Sequence, residues 1–464
     1  MFLILLVIVA FTAVGLSVYS RFYALLFLIP LSVYSQSSTV ISLGERGVNL
    51  GMDTIYIFVL IIVEFARGQG NKFRMTMNKS SFALLLCFTY FFLNALVSSL
   101  IGPIGFSLSG LIVYIRLFQY VPIFILLCNI NIDFKQSVQV INTFIWTGVS
   151  GSVLAVYQLL SGNYSYMKGM PSFTMPVFRE AGGPTDDGLY AGSGNYNVYA
   201  AFLLISIFLA FIMWYCRNEN IGFSKRKFII FLSVLLIGMY VASSRAALLA
   251  ILIGIISMNF SAKKILASLK PLFVIFLLIF VLAYIFREQP LIKGFTDIFV
   301  DFNEALPYAM ENITYNSNMG FSGDTLGAVV RVFGYAEGIR VFLIYPIFGC
   351  GFDLFLSQSI HYPENLFLQI LAETGIVGLC LYLFFIYRIY TDVSWLPKNS
   401  KFNKYYIATF QGIIIAMIFI NMTGATLLIQ KVWGPFLLVA GCFYGYQRTT
   451  LKGLAVKNGE YIGK

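Results

Sequence analysis

The feature that most restricts this chain is a succession of apolar runs of roughly 17 to 23 residues, the length at which a helix crosses about 30 Å of hydrocarbon. Inside a bilayer such a run can satisfy its own backbone only as a helix, because a barrel strand needs a much shorter, alternating segment. About 13 of these runs can be read, centred near residues 10, 32, 59, 91, 119, 148, 204, 235, 253, 278, 376, 413 and 438. The pair 228–242 and 246–260 is the tightest, joined through Ser243, Ser244 and Arg245. Composition agrees: 59% of residues are hydrophobic and 11% charged, against about a quarter charged in soluble domains. The expected fold is therefore an all-α polytopic membrane protein of about 12–13 transmembrane helices.

Lys and Arg in short loops mark the cytoplasmic side. Arg67, Lys72, Arg74 and Lys79 form one such loop, Arg217 and Lys225 to Lys227 another, and Lys263, Lys264 and Lys270 a third. Lys398, Lys401 and Lys404 make a fourth, and the tail from Arg448 to Lys464 continues the series. The formal net charge of +11 is thus largely a topology signal and gives no support to nucleic-acid binding. Two segments are expected outside: a smaller loop at 161–192, rich in Gly, Pro, Ser and Tyr, and a large helical loop at 287–363, all within one transmembrane domain spanning 1–464. In the larger loop, Phe295, Ile298, Phe299, Phe302 and Leu306 recur at helical spacing, as in a helix lying on a membrane surface. The opening run MFLILLVIVAFTAVGL has no basic n-region and is expected to be a retained span. Six cysteines without metal-type spacing, Cys350 alone being external, point away from zinc and from an external disulfide.

Charges in or beside spans cost on the order of 2.5–3.5 kcal/mol each and so face a cavity, a partner or the interface. Arg116 lies within GLIVYIRLFQYVPIF, and Arg245 at the tip between two joined spans. With Arg179 and Arg331, these are expected at the outer leaflet, where forked guanidinium donors suit a phosphorylated ligand. Arg331, Tyr335 and Gly338 share one face of a helix broken near Pro346 and by Gly349 and Gly351, whereas Arg340 is about half a turn out of phase. The only histidine, His361, opens HYPENLFLQILAETGIVG. Tyr362 to Asn365 reads as a helix start, with Pro363 compatible with the first turn. A continuing helix would set His361 and Glu364 on neighbouring turns, and either could take a proton from a hydroxyl, a step worth about 10²–10⁴ in rate.

YPENLFLQILAETGIVG resembles the signature of the O-antigen ligase and polymerase superfamily, a pattern close to Y-P-H-N, apolar residues, then E-x-G-x-x-G. SSRAALLA at 243–250 is similar to that family's Ser-Arg-Gly turn, and NYNVYAAFL at 195–203, with Asn197, to a span that opens on Asn. Arg331, Tyr335, Pro346, Gly349 and Gly351 resemble the element leading into the motif. The resemblance implies a membrane glycosyltransferase (GT-C-like) fold acting on undecaprenyl-pyrophosphate-linked oligosaccharide at the outer face of the bacterial inner membrane, with no metal or other cofactor. It further implies that Arg245 and Arg331 hold the pyrophosphate, with Arg116, Arg179, Tyr335, Asn365 and Asn197 around it. Glu364 stands where the family has histidine, so the base is Glu364 or His361, with a slight preference for Glu364. The expected activity is polymerisation of lipid-linked repeats of O-antigen or capsule type, membrane lipid and a chain-length regulator being further partners. The alternatives are a ligase that moves the glycan onto lipid A core, and a flippase.

Overall fold

A computed structural model describes residues 2–34, 37–43, 46–70, 77–101, 114–161, 196–217, 222–242, 244–261, 323–352, 355, 363, 365–422 and 430–457. Among them the architecture is helical: α1 (Phe2–Tyr19), α2 (Arg21–Tyr34), α3 (Met52–Gly70), α4 (Lys79–Ile101), α5 (Tyr120–Asn129), α6 (Phe134–Ser161) and α7 (Tyr196–Tyr215). There follow α8 (Lys225–Val241), α9 (Arg245–Ser261), α10 (Gly323–Ile344), α11 (Leu366–Asp392), α12 (Lys401–Met422) and α13 (Gln430–Lys457). Four stretches of the described residues, Lys79–Ser98, Phe134–Tyr157, Leu366–Trp395 and Lys401–Met422, are long and apolar enough to cross a membrane, and shorter apolar helices pack among them. The chain is an all-α polytopic membrane protein. One antiparallel hairpin, Ser37–Leu43 with Arg46–Gly51, departs from that plan. Its first strand falls in the run centred near residue 32, which the sequence reads as a single span and the structure divides at Tyr34.

The basic residues gather at one end of the bundle. Arg448 bonds the side chain of Asn129 at 2.7 Å, joining the far ends of α5 and α13. Ser80 donates to Asp392 at 2.7 Å, where Asp392 also pairs with Arg388. Phe134 meets Phe402 edge to face, Tyr215 stacks on Tyr405, and Tyr446 donates to Asn403. Arg21 and Arg67 both pair with Glu64, and Arg67 also reaches the Ser17 carbonyl, which brings the end of α1 to the same level. These charged groups, which would be expensive in hydrocarbon, thus lie together at one boundary.

Between the ends the core is aromatic. Trp433 stacks on Phe88 and meets Phe385 edge to face, and Phe91 stacks on Phe352. Close helix contact is set by small residues: a Cβ on Gly254 of α9 would lie 2.4 Å from Phe208 and 2.8 Å from the Gly412 carbonyl of α12. Helices in lipid gain from such close backbone approach because apolar side chains alone do not prefer each other to acyl chains.

Candidate functional site

The segment after Pro363 starts α11 later than the sequence suggests. The helix begins at Leu366, and Asn365 is its N-cap with an extended backbone, φ −145° and ψ 115°. Its Oδ1 accepts from the backbone N–H of Phe367 at 3.0 Å and of Leu368 at 3.1 Å, satisfying two donors that have no partner within the helix. Its Nδ2 donates to the Met422 carbonyl at 3.1 Å, tying the start of α11 to the end of α12. His361 and Glu364 lie outside the described residues, and α11 as described begins after both, at Leu366.

Four helices reach this end in register. Gly254, Gly412 and Phe208 meet at one level. From there Arg245, at the start of α9, is 9 residues away, Met422 is 10 and Asn197 is 11, which is about 14, 15 and 16 Å of helix. All three run away from the basic end. Gly338 of α10 packs on Leu368 of α11, and Val341 on Ala372, so these two helices run in parallel. Arg331 lies 7 residues before Gly338, about 10 Å, which sets its backbone slightly beyond the level of Asn365. Gly338, Val341 and Tyr345 mark the stripe of α10 that meets α11. Tyr335, half-buried, is one turn before Gly338, whereas Arg340 is exposed and pairs with Glu337 at 2.7 Å.

Beneath Asn365 a broken turn locks α10 to α11. Gly375 has φ 68° and ψ −171° inside α11, a backbone that an L side chain rarely adopts. The break exposes polar groups that the loop after α10 satisfies. Cys350 N–H donates to the Ala372 carbonyl at 2.9 Å and Gly351 N–H to the Glu373 carbonyl at 2.8 Å, while Ile376 N–H donates to the Pro346 carbonyl at 3.0 Å. Gly349, at φ 72°, lies so close that a Cβ would be 2.2 Å from the Glu373 carbonyl carbon. From α4, the Asn94 amide donates to the Phe348 carbonyl at 2.5 Å and accepts from Phe352 N–H at 2.9 Å, and Tyr90 donates to the Thr374 carbonyl. Glu373 is fully buried and accepts from Gln369 at 3.3 Å. Burial, with the Glu373 carboxylate adding to it, pushes the Cys350 thiol up to about 12. The E-T-G-I-V-G run and the Pro346 to Gly351 run, separate on paper, are two halves of one backbone clip.

The other expected site residues are placed differently. Arg116, half-buried on the helical turn at 114–118, is within electrostatic reach of Asp53, whose carboxylate accepts from Tyr120 at 2.8 Å. Tyr120 packs on Gly434, next to the Trp433 that meets Phe385. The structure thus groups Arg116 with Asp53 and, through Tyr120, with α5 and α13. Asp53 was missed by sequence reading, although an acid at the opening of a span is a usable signal. Arg179 lies outside the described residues, as do residues 162–192 of the smaller expected loop, 287–322 of the larger, and the expected span centred near 278. A groove of 490 Å³ between α2 and α6, lined by Pro30, Tyr34, Asn142 and Trp146 among others, holds none of the expected site residues. Among the described residues, no three His, Cys, Asp or Glu side chains are close enough to hold a metal ion.

Residues 228–383 match the family model described as O-Antigen ligase, while no curated protein matches the chain. The matched region contains nearly all of α8, then α9, α10 and the first two-thirds of α11, the elements that carry Arg245, Arg331, Asn365 and the clip.

Proposed function

We propose, from the match of residues 228–383 to the O-Antigen ligase family model, that the chain is a polymerase of lipid-linked polysaccharide repeat units. The acceptor is a hydroxyl of the next lipid-linked repeat, and its oxygen attacks the anomeric carbon of the growing glycan. The bond from that carbon to undecaprenyl pyrophosphate breaks, and the lipid pyrophosphate leaves with the electron pair. Glu364 takes the hydroxyl proton, His361 being the other candidate base three residues earlier. Arg245 and Arg331 hold the pyrophosphate and stabilise the charge it gains on departure. The site faces the exterior of the inner membrane, opposite the basic end.

The observation that carries this reading is the register of α9, α10, α11 and α12, which sets the backbones of Arg245 and Arg331 near the level of Asn365 at the end away from the basic boundary. A ligase acting on lipid A core is the second reading, favoured by the printed description of the matching family. Both transfer a glycan from the same lipid carrier, so the acceptor separates them. The test is purified protein with a defined lipid-linked repeat, comparing wild type with Glu364→Gln, His361→Ala, Arg245→Ala and Arg331→Ala. Elongation by wild type, lost in both arginine variants and in at least one of the others, supports the proposal. Full activity in both Glu364→Gln and His361→Ala removes the proposed base. In a deletion strain, single repeats that are still flipped fit a polymerase. Full-length chains left on the carrier fit a ligase, and loss of flipping fits a transporter.

A further inference from the structure

The tip of α10 carries an apolar surface that the bundle leaves open: Leu343 is 69% exposed, Phe348 63%, Ile347 55% and Ile344 54%. We propose that this tip, residues 341–352, is a wedge immersed in the acyl chains of the leaflet at the Asn365 end, entering from that end and turning back at Pro346 to Gly351 without crossing. The inference goes beyond the transfer reaction and does not depend on it.

Depth supports the assignment. Gly375, where the clip closes, is 17 residues along α11 from Asp392 at the basic boundary, about 26 Å of the roughly 30 Å hydrocarbon thickness. The tip therefore lies just inside the far edge of the hydrocarbon. Polarity along α10 changes at the same height. Glu337 and Arg340, a mutual ion pair, are the last charged residues before the tip, and VFLIYPIFGCGF at 341–352 contains none.

The backbone is equipped for that medium. A chain that turns within lipid must have its polar groups satisfied by protein. Here Gly349, Cys350 and Gly351 donate to the carbonyls of Tyr345, Ala372 and Glu373, and Asn94 serves both the Phe348 carbonyl and the Phe352 N–H. The Pro346 carbonyl in turn accepts from Ile376. A loop exposed to water could leave these groups to solvent, whereas this one returns them to α11 and α4 while leaving Leu343, Ile344, Ile347 and Phe348 exposed.

The experiment is site-directed spin labelling of the full chain in proteoliposomes, in a Cys380→Ala background because Cys380 is exposed. Leu343→Cys, Phe348→Cys and Glu337→Cys are labelled, with Leu383→Cys, on an exposed position of a membrane-crossing helix, as the lipid reference. Accessibility to oxygen and to a water-soluble nickel chelate is measured at each. The expected result is an oxygen-to-nickel ratio at 343 and 348 that exceeds that at 337 and lies below the mid-bilayer value at 383. A ratio at 343 and 348 equal to that at 337 would place the tip in water and overturn the proposal. Exclusion of both reagents would mean that protein covers the tip, and would overturn it equally.

Discussion

The side-chain amide of Asn365 donates to the backbone carbonyl of Met422 at 3.1 Å, while its oxygen caps α11. One residue therefore fixes both where α11 starts and how far it stands from the end of α12. Asn365→Ala removes the cap, worth about 0.5–2 kcal/mol, together with the inter-helix bond. Asn365→Asp keeps the cap but loses the donor. Both variants should lower glycan transfer, and thermal unfolding in detergent should show a clear drop for Ala and a smaller one for Asp. Equal melting and activity in wild type and Asp would mean that the Met422 bond positions nothing.

In the clip Gly375 lies against the backbone of Ile347 and Phe348, and Gly349 against that of Glu373 and Thr374. Alanine at Gly375 would have to adopt a positive φ, a strain of about 1–3 kcal/mol, and its Cβ would fall 2.1 Å from the Ile347 carbonyl oxygen. Overpacking adds about 1–3 kcal/mol more. Gly375→Ala should fold poorly and lose transfer, whereas Ile376→Ala, one residue along at a lipid-exposed position, should be tolerated. Yield and melting temperature in detergent check the pair.

Asp53 is buried within electrostatic reach of Arg116. Removing one member leaves the other charge less compensated in the bundle, whereas replacing both by apolar residues of similar volume is often tolerated. Asp53→Leu should therefore destabilise strongly, and adding Arg116→Met should restore much of the loss. If the double variant also transfers glycan, Arg116 acts as a partner for Asp53 and not as a ligand for pyrophosphate. An inactive but stable double variant would return Arg116 to the site.

Cys350 should be inert toward alkylation. Its thiol is raised by burial from the usual 9.0 to about 12, so at pH 9 about one folded molecule in a thousand carries a thiolate, against half of the unfolded chains. The raised value also fixes a sign. The stability associated with this thiol is intact below pH 9 and is lost as the pH climbs toward 12, because the unfolded chain releases the proton first. Iodoacetamide labelling at pH 8.5, with and without denaturant, should modify Cys350 only in the unfolded protein.

Much of the fold could be read from the chain because length and polarity are local properties. The spans, the tight joint between α8 and α9 and the interruption at Pro346, Gly349 and Gly351 follow from runs of apolar residues and from residues that break helices. What could not be read depends on which faces meet. Helices such as α7 and α9 are apolar all round, so no stripe announces that Gly254 packs on Gly412 or that Asp53 is buried beside Arg116. E-T-G-I-V-G was visible as a motif but not as a kink, since positive φ at Gly375 is meaningful only with Pro346 and Gly349 against it. The start of α11 was misjudged because proline is compatible with a first turn, while Asn365 is the stronger cap.

The central claim is that Arg245 and Arg331 hold one diphosphate. A double-mutant cycle on kcat/KM for the lipid-linked donor tests it, using Arg245→Lys, Arg331→Lys and the pair, since lysine keeps the charge but loses the forked donors and leaves activity to measure. The account predicts that each single change costs about 10²-fold or more, and that the double costs clearly less than the product of the two. Independent, multiplicative effects would show that the arginines serve separate purposes and would contradict the account.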